Sequence, residues 1–385
     1  MAPCDVSVVP CRSYEPAACR AALEAVLAPL GGLDWVRPGM RVAIKANLVA
    51  GGKPESAVTT HPALLGALAE LLRARGAVPV IGDSPGGLFT AAWVERIYTA
   101  AGLRADPSCA PALNADFSQR EADFPAGRVL RHFPYTAWLD GADAVINFCK
   151  LKTHGMMALS CAAKNVFGVI PGTRKPEFHF RYPNPADFAR MLVDLDDFVA
   201  PVLSICDAVV AMEGNGPTAG TPRPVGCLAA SRSPHRLDLL CAALIGLRRR
   251  DVPTLEAALE RGYVPETAEE LAVAGDWRAF AVPDFRRTQG QSSLLFRGRG
   301  GPLGRLQGAV VSAAVCPRPA LDAARCVGCG ACQRVCPAGA LVLRGGRPAI
   351  DRRKCIRCFC CQEFCPRGAL RQHRPLLSRL LSPQP

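Results

Sequence analysis

The sequence predicts an α/β protein: a layered, largely parallel sheet with helices, followed by a small α+β domain. Three observations carry this. Short β-branched runs alternate with helical patterns through the first 290 residues, as expected for layered α/β units around a parallel sheet. Four of those runs lead straight into unusual polar loops. The tail then carries two cysteine runs of identical spacing, 29 residues apart.

Taken in order, the candidate strands are 6–9, 42–46, 78–81, 144–148, 203–210 and 227–230, each a short apolar run. Helical patterns follow at 62–75, 91–101, 156–167, 186–199 and 235–247. Thr60-His61-Pro62 reads as a helix start, with Thr60 or His61 at the cap and Pro62 in the first turn. The glycine-rich, aperiodic stretch 290–308 reads as a connection. The expected organisation is an α/β domain at 1–290, a linker at 291–315, a cysteine-rich domain at 316–375 and a tail at 376–385.

Cys326, Cys329, Cys332 and Cys336-Pro337 form the first run; Cys355, Cys358, Cys361 and Cys365-Pro366 form the second. The spacing C-x2-C-x2-C-x3-C-P is that of two-cluster bacterial ferredoxins, in which the fourth cysteine of each run ligates the other cluster. The expected sets are Cys326, Cys329, Cys332 and Cys365 for one [4Fe–4S] cluster, and Cys336, Cys355, Cys358 and Cys361 for the other. Structural zinc also uses paired C-x2-C, but it needs neither a third cysteine nor the trailing Cys-Pro. Eleven of the nineteen cysteines remain, an odd and scattered set that suits reduced thiols. Cys316 and Cys360 lie beside the runs without fitting the spacing and read as spare thiols.

The net charge of +13 is concentrated in the tail, where residues 316 onward carry 13 basic and 3 acidic side chains, a formal +10. Two all-thiolate clusters of about −2 each lower that to about +6. A basic patch raises nucleic-acid binding, but no aromatic platform or recognition motif accompanies it, so no nucleic-acid partner is expected. Docking of an acidic electron carrier, of ferredoxin or flavodoxin type, is the better account. The first residues lack a basic start and an apolar run. The longest apolar stretch, 237–247, contains Asp238 and falls far short of the roughly 20 residues that span a bilayer. A cytoplasmic protein without a membrane span is expected, any membrane contact being made through a partner.

The four polar loops concentrate the chemistry. They are Lys45-Ala46-Asn47 with Gly51-Gly52-Lys53, Gly82-Asp83-Ser84-Pro85-Gly86-Gly87, Lys150-Leu151-Lys152-Thr153-His154, and Glu213-Gly214-Asn215-Gly216-Pro217. Ligands of open α/β sheets bind outside the carboxyl ends of the strands, so parallel strands would bring all four loops to one crevice. Lysine usage supports this. The chain has 39 Arg but only 7 Lys, and six of the seven fall within 45–54, 150–154 and 164–175. An ammonium is a compact, titratable charge that Arg cannot replace as a proton donor, so several in one cleft imply a small anionic substrate. The helical pattern at 156–167 puts Lys164 and Asn165 in its last turns, near the Lys152–His154 loop.

His61, His154 and His179 each lie beside one of these segments but lack metal-ligand spacing. His154 reads as a proton donor or substrate contact. Asp83 either accepts a substrate hydroxyl or caps a turn. The candidate catalytic residues are Lys45, Lys152, His154 and Lys164. The candidate substrate contacts are Lys45, Asn47, His61, Asp83, Ser84, Lys150, Lys152, Asn165 and Asn215. No G-x4-G-K-[ST] phosphate loop is present, and no G-x-G-x-x-G follows the first strand. ATP-driven electron transfer and Rossmann-type NAD or flavin binding are therefore not indicated.

Together, Lys45-Ala46-Asn47-Leu48, Thr59-Thr60-His61-Pro62, Gly82-Asp83-Ser84-Pro85-Gly86, Lys150-Leu151-Lys152-Thr153-His154, Lys164-Asn165-x-Phe167-Gly168 and Glu213-Gly214-Asn215-Gly216-Pro217 resemble the iron–sulfur proteins that carry domain of unknown function 362. The run Cys355-Ile356-Arg357-Cys358-Phe359-Cys360-Cys361-Gln362-Glu363 is similar to that family's tail, adjacent cysteine pair included. The resemblance covers nearly the whole chain and departs at Cys161, where a small residue is expected. It implies the same layout and crevice, and it implies no substrate.

The residues thus point to a ferredoxin-type oxidoreductase, a reductase that passes electrons from an acidic carrier through two [4Fe–4S] clusters to a small anionic substrate. A non-enzymatic electron carrier or adaptor, and an oxygen-responsive redox sensor, are the alternatives. Native mass spectrometry of protein purified without oxygen should show the mass of two [4Fe–4S] clusters. One cluster, or zinc, would overturn the ligand sets.

Overall fold

The computed structural model describes residues 4–288, 317–373 and 375. The expected linker at 291–315, the thiol of Cys316 and the tail at 376–385 lie outside the described residues. Strand β1 (Val6–Pro10) leads to helix α1 (Pro16–Leu27), which opens on a proline where a missing N–H costs nothing. Strand β2 (Arg41–Lys45), helix α2 (Pro62–Ala74), strand β3 (Val78–Gly82) and helix α3 (Ala91–Ala100) follow. His61 caps α2, its Nδ1 accepting from the Ala63 amide at 3.2 Å, with Pro62 in the first turn. A separate hairpin joins β4 (Gln119–Asp123) to β5 (His132–Thr136).

Next come β6 (Ala144–His154), β7 (Ala158–Ser160), α4 (Ala162–Asn165), α5 (Lys175–Arg181) and α6 (Pro185–Val199). They are followed by β8 (Leu203–Glu213), β9 (Thr221–Ser231), α7 (Pro234–Leu244), α8 (Pro253–Leu259) and the two-residue β10 (Val273–Ala274). The main sheet has the order β10-β1-β9-β8-β6-β2-β3, with β7 hydrogen-bonded to β6. Strand β2 runs parallel to β3 and to β6, and β6 runs parallel to β8. The four strands bearing the polar loops are therefore parallel, and their carboxyl ends share one edge. Strand β9 is antiparallel to both β1 and β8.

From β2 the chain steps to β3 on one side and later returns as β6 on the other. That reversal is a topological switch point, where open α/β sheets form their ligand crevices. Helices α1, α2 and α3 bury one face of the sheet, and α7 and α8 bury the other. Strands covered on both faces read as continuous apolar runs rather than alternating ones, which is why β2 and β6 are buried almost throughout.

Two sequence expectations fail here, for one reason. Residues 150–154 are the last residues of β6, not a loop, because Lys152–His154 pair antiparallel with β7. Residues 156–167 are not one helix but the turn into β7, β7 itself and the short α4, followed by a 3-10 turn at Val166–Val169. Every residue from Leu151 to Ile170 is buried. A segment without a solvent face leaves no periodicity to separate strand from helix.

In the cysteine-rich part, β11 (Arg318–Leu321), β12 (Leu341–Arg344), β13 (Arg347–Ile350) and β14 (Leu370–His373) form two antiparallel pairs, β11 with β14 and β12 with β13. Helical turns at Ala331–Arg334 and Cys360–Glu363 pack between them over a small core that includes Leu341 and Leu370. The two halves repeat each other in backbone conformation. Gly328 and Gly330 have φ of 69° and 72°, and Arg357 and Phe359, at the equivalent places, have 60° and 62°. Non-glycine residues there cost roughly 1–2 kcal/mol each. No helix among the described residues is long and apolar enough to cross a membrane.

Gly168, in the turn after α4, lies against the ends of β2 and β3. A Cβ at this position would strike the Asp83 carboxylate and the Lys45 ammonium. Gly168→Ala should therefore lower the unfolding free energy by about 1–3 kcal/mol, read as a lower urea midpoint. An unchanged midpoint would refute so tight a packing of the two charges.

Candidate functional site

The crevice is built from a chain of buried polar side chains along the carboxyl edge of the sheet. Lys45, the last residue of β2, pairs with Asp83 just past β3 at 2.8 Å, both nearly inaccessible. The Lys45 ammonium also donates to the Ala46 carbonyl at 2.7 Å. The second Asp83 oxygen accepts from the Leu48 amide at 2.7 Å. Burial pushes the Lys45 ammonium toward lower pKa, and Asp83 opposes that shift.

Asn165, at the end of α4, joins the pieces. Its Oδ1 accepts from Asn47 Nδ2 at 2.8 Å and from Lys45 Nζ at 3.4 Å, and its Nδ2 donates to Asn147 Oδ1 at 2.7 Å. Asn47 Oδ1 in turn accepts from Lys152 Nζ at 2.5 Å, and the same ammonium donates to the Val58 carbonyl at 2.7 Å. An ammonium has three donors, so one N–H of Lys152 is left beyond these two bonds. Burial lowers its pKa to about 7, with Glu363 acting in the opposite direction.

His154 ends β6 with its Nδ1 accepting from the amides of Met156 and Met157, both at 3.1 Å. An Nδ1 that accepts twice carries no proton, so the proton sits on Nε2. That Nε2 is buried, has no hydrogen-bond partner among the described residues and lies 3.8 Å from the Glu363 carboxylate. Burial and the Lys164 charge lower the His154 pKa to about 4. Lys164 is 8% exposed and its ammonium lies 5.5 Å above the Phe167 ring. Among the described residues, no hydrogen bond or ion pair holds it.

Glu363 reaches this cluster from the helical turn of the cysteine-rich part, between Cys361 and Cys365. Its side chain is 19% exposed. Burial alone would raise its pKa, but Lys164, His154 and His179 hold it well below the usual carboxylate range. Further contacts fix the cap. Gln362 Nε2 donates to Asn215 Oδ1 at 2.9 Å and to the Gly216 carbonyl at 3.1 Å, and Thr218 Oγ1 donates to the Glu363 carbonyl at 3.1 Å. Phe364 lies so close on Gly86 that a Cβ there would strike its ring. With the cap in place, the cavity lined by Asn47, Asp83, Lys164, Asn165, Lys175 and Glu363 holds about 40 Å³.

The structure thus brings Lys45, Asn47, Asp83, Lys152, His154, Lys164 and Asn165 together, and parts four other candidates from them. Lys150 points elsewhere: its ammonium is bonded to Asp207 at 2.8 Å and to the Tyr14 hydroxyl at 2.9 Å. His61 stacks on Tyr14 with ring centroids 3.5 Å apart, and its amide donates to Asp207. Ser84 serves the backbone, its Oγ accepting from the Gly172 amide and its carbonyl from Lys175 Nζ. Asn215 is spent on Gln362. The physical reason is competition: each of these groups finds a closer intramolecular partner than the crevice.

Sequence reasoning missed Asn147 and Glu363. A lone Asn inside an apolar strand was the available signal for the first. For the second, it was the single glutamate of a strongly basic tail.

Cys326, Cys329, Cys332 and Cys365 line one common cavity. Cys336 lies close enough to Cys355 and Cys361 to influence their ionisation. These groupings follow the crossed pattern expected from the cysteine spacing. The Ala340 and Ala369 amides donate to the sulfurs of Cys336 and Cys365, each at 3.2 Å. Cys360 is buried, with its thiol beside that of Cys358.

Among known families, the domain of unknown function DUF362 matches residues 42–243, and a 4Fe-4S dicluster domain matches residues 318–366. A thylakoid-associated protein of Synechocystis sp. is 35% identical over 273 residues, covering 69% of this chain and 82% of that protein. The lactate racemase apoprotein of Thermoanaerobacterium thermosaccharolyticum is 11% identical with a TM-score of 0.41, covering 64% of this chain and 58% of its own. A protein of Thermotoga maritima is 12% identical with a TM-score of 0.33, covering 56% and 55%. This chain spans less than two thirds of either solved chain.

Lys152 makes stability depend on pH. In the folded chain it releases its proton near pH 7, against an ordinary 10.5. Between those values the unfolded chain binds more protons, so the Lys152 contribution to stability rises with pH, by at most about 1.4 kcal/mol per unit. Lys152→Met should flatten the rise in denaturation curves taken from pH 7 to 10. An unaltered slope would remove Lys152 as its source.

Proposed function

Because this chain belongs to the family of the domain of unknown function DUF362, here joined to a 4Fe-4S dicluster domain, we propose that it is an iron–sulfur oxidoreductase acting on a small anionic substrate in the lysine-lined crevice. Two [4Fe–4S] clusters, held by Cys326, Cys329, Cys332 and Cys365 and by Cys336, Cys355, Cys358 and Cys361, supply single electrons when bound, drawn from an acidic carrier of ferredoxin or flavodoxin type. The basic tail favours such a carrier. Its place is the cytoplasm, and attachment to a membrane through a partner fits the thylakoid-associated relative.

One observation carries this reading. The Glu363 carboxylate sits among Lys152, His154, Lys164 and His179, so the crevice is built to receive a carboxylate. A substrate carboxylate takes the place of Glu363 when the cap withdraws. Lys164 supplies the charge for it, and His154 donates from Nε2 as a neutral imidazole. Reduction of a conjugated double bond consumes two electrons and two protons. Lys152, with a free N–H and a pKa near neutrality, is matched to giving a proton at that site. Asn47 and Asn165 orient it, and the Lys45–Asp83 pair fixes the floor.

A second reading has its own support. With Glu363 in place, the cavity of about 40 Å³ admits little beyond water. A non-enzymatic carrier whose large part is a docking platform needs no more than that.

The two separate by experiment. With a reduced flavodoxin-type donor and a panel of α,β-unsaturated carboxylates, Lys152→Ala should lower turnover by about 10²–10⁴-fold and leave iron content intact. Turnover unaffected by the substitution removes Lys152 from the chemistry. Electron transfer to a second protein without any small-molecule product, equally fast in the variant, favours the carrier.

A further inference from the structure

Behind the crevice, on the face of the sheet covered by α7 and α8, four cysteines converge from four elements. Cys149 on β6 and Cys206 on β8 are direct partners across the parallel pair. Cys161 stands at the junction of β7 and α4. Its Sγ lies 3.4 Å from that of Cys149 and 3.5 Å from that of Cys206. The three sulfurs lie within 4.8 Å of one another. Cys241 on α7 brings a fourth thiol near Cys161 and Cys206, outside the group of three. All four residues are at most 1% exposed.

We propose that Cys149, Cys161 and Cys206, with Cys241 as fourth donor, form a buried site for a single thiophilic d10 metal ion, Zn²⁺ or Cu⁺. Two arguments support it. A tetrahedral site with metal–sulfur bonds of about 2.3 Å sets its sulfurs about 3.8 Å apart, so the observed spacing opens to that geometry with small side-chain rotations. The two short sulfur–sulfur distances are nearly equal, and both centre on Cys161. A disulfide would single out one pair, whereas an ion is shared.

The ion would tie β6, β8, α4 and α7 together directly behind Lys164 and Asn165. It would enter during folding, since the mature site has no exposed edge.

The test uses the full chain, purified without oxygen and with its iron in place. When the chain is produced in cells supplied with zinc or with copper, so that the ion is present as it folds, metal analysis after gel filtration should find about one non-iron metal per chain. X-ray absorption at that metal's edge should show sulfur neighbours only, at about 2.3 Å for zinc. The two preparations distinguish the ions. In Cys161→Ala the non-iron metal should be lost while iron content and circular dichroism stay as in the parent. If that variant misfolds, Cys206→Val, which keeps the packing volume, is read in the same way. Equal non-iron metal in parent and folded variant, or none in either, overturns the proposal. So does loss of two hydrogen masses between Cys149 and Cys161 in peptide mapping, which would mean a disulfide.

Discussion

The crevice depends on one interaction: the buried pair between Lys45 and Asp83, which ties the carboxyl ends of two adjacent parallel strands. Removing two charges from water is costly, and such a pair is tolerated only where further hydrogen bonds complete it. Here the Ala46 carbonyl, the Leu48 amide and Asn165 do so. Loss of one partner from a pair of this kind typically costs about 3–5 kcal/mol, because the other charge is left stranded. The closeness of Gly168 follows from the same requirement. From Lys45 the chain of asparagines carries the constraint to Lys152, so orientation of its ammonium begins at the floor.

Capping by the cysteine-rich part makes the second constraint. The backbone that wraps Cys358 and Cys361 ends in Gln362 and Glu363, and these two side chains make the contacts with the loop after β8 and with the lysine cluster. Cluster ligands and crevice are therefore joined by a few covalent bonds rather than by a long path. A change in the position of either helical turn or loop must alter the surroundings of Lys164 and His154. Electrostatics favours the closed arrangement, since Glu363 provides the negative charge that the buried cations lack. A competing carboxylate is the chemistry that would substitute for it.

Much of this was legible beforehand. The parallel strands and the convergence of Lys45, Asp83, Lys152 and His154 follow from strand–loop patterning and lysine usage, whereas the strand order does not. His61 shows where that reasoning stopped. It belongs to the same sequence neighbourhood, yet stacks on Tyr14, a residue far away in the chain. Lys150 shows the same limit. It stands two residues from Lys152, but it lies directly opposite Asp207 on β8, and the register then shifts before Lys152, where β8 carries extra residues. Irregularities of this kind arise from pairing with β8, and nothing in Lys150-Leu151-Lys152 announces them.

The sequence by itself determined the α/β class and the cysteine-rich 4Fe-4S module, because spacing and periodicity are local properties that residues carry with them. Tertiary structure alone decided which polar groups meet, because each buried donor or acceptor takes the nearest compatible partner and those distances exist only in the folded chain. Glu363 beside Lys164, and Cys161 between Cys149 and Cys206, are both of that kind. They join segments whose separation in sequence hides them, and burial in a medium of low polarity gives the contacts their energetic weight.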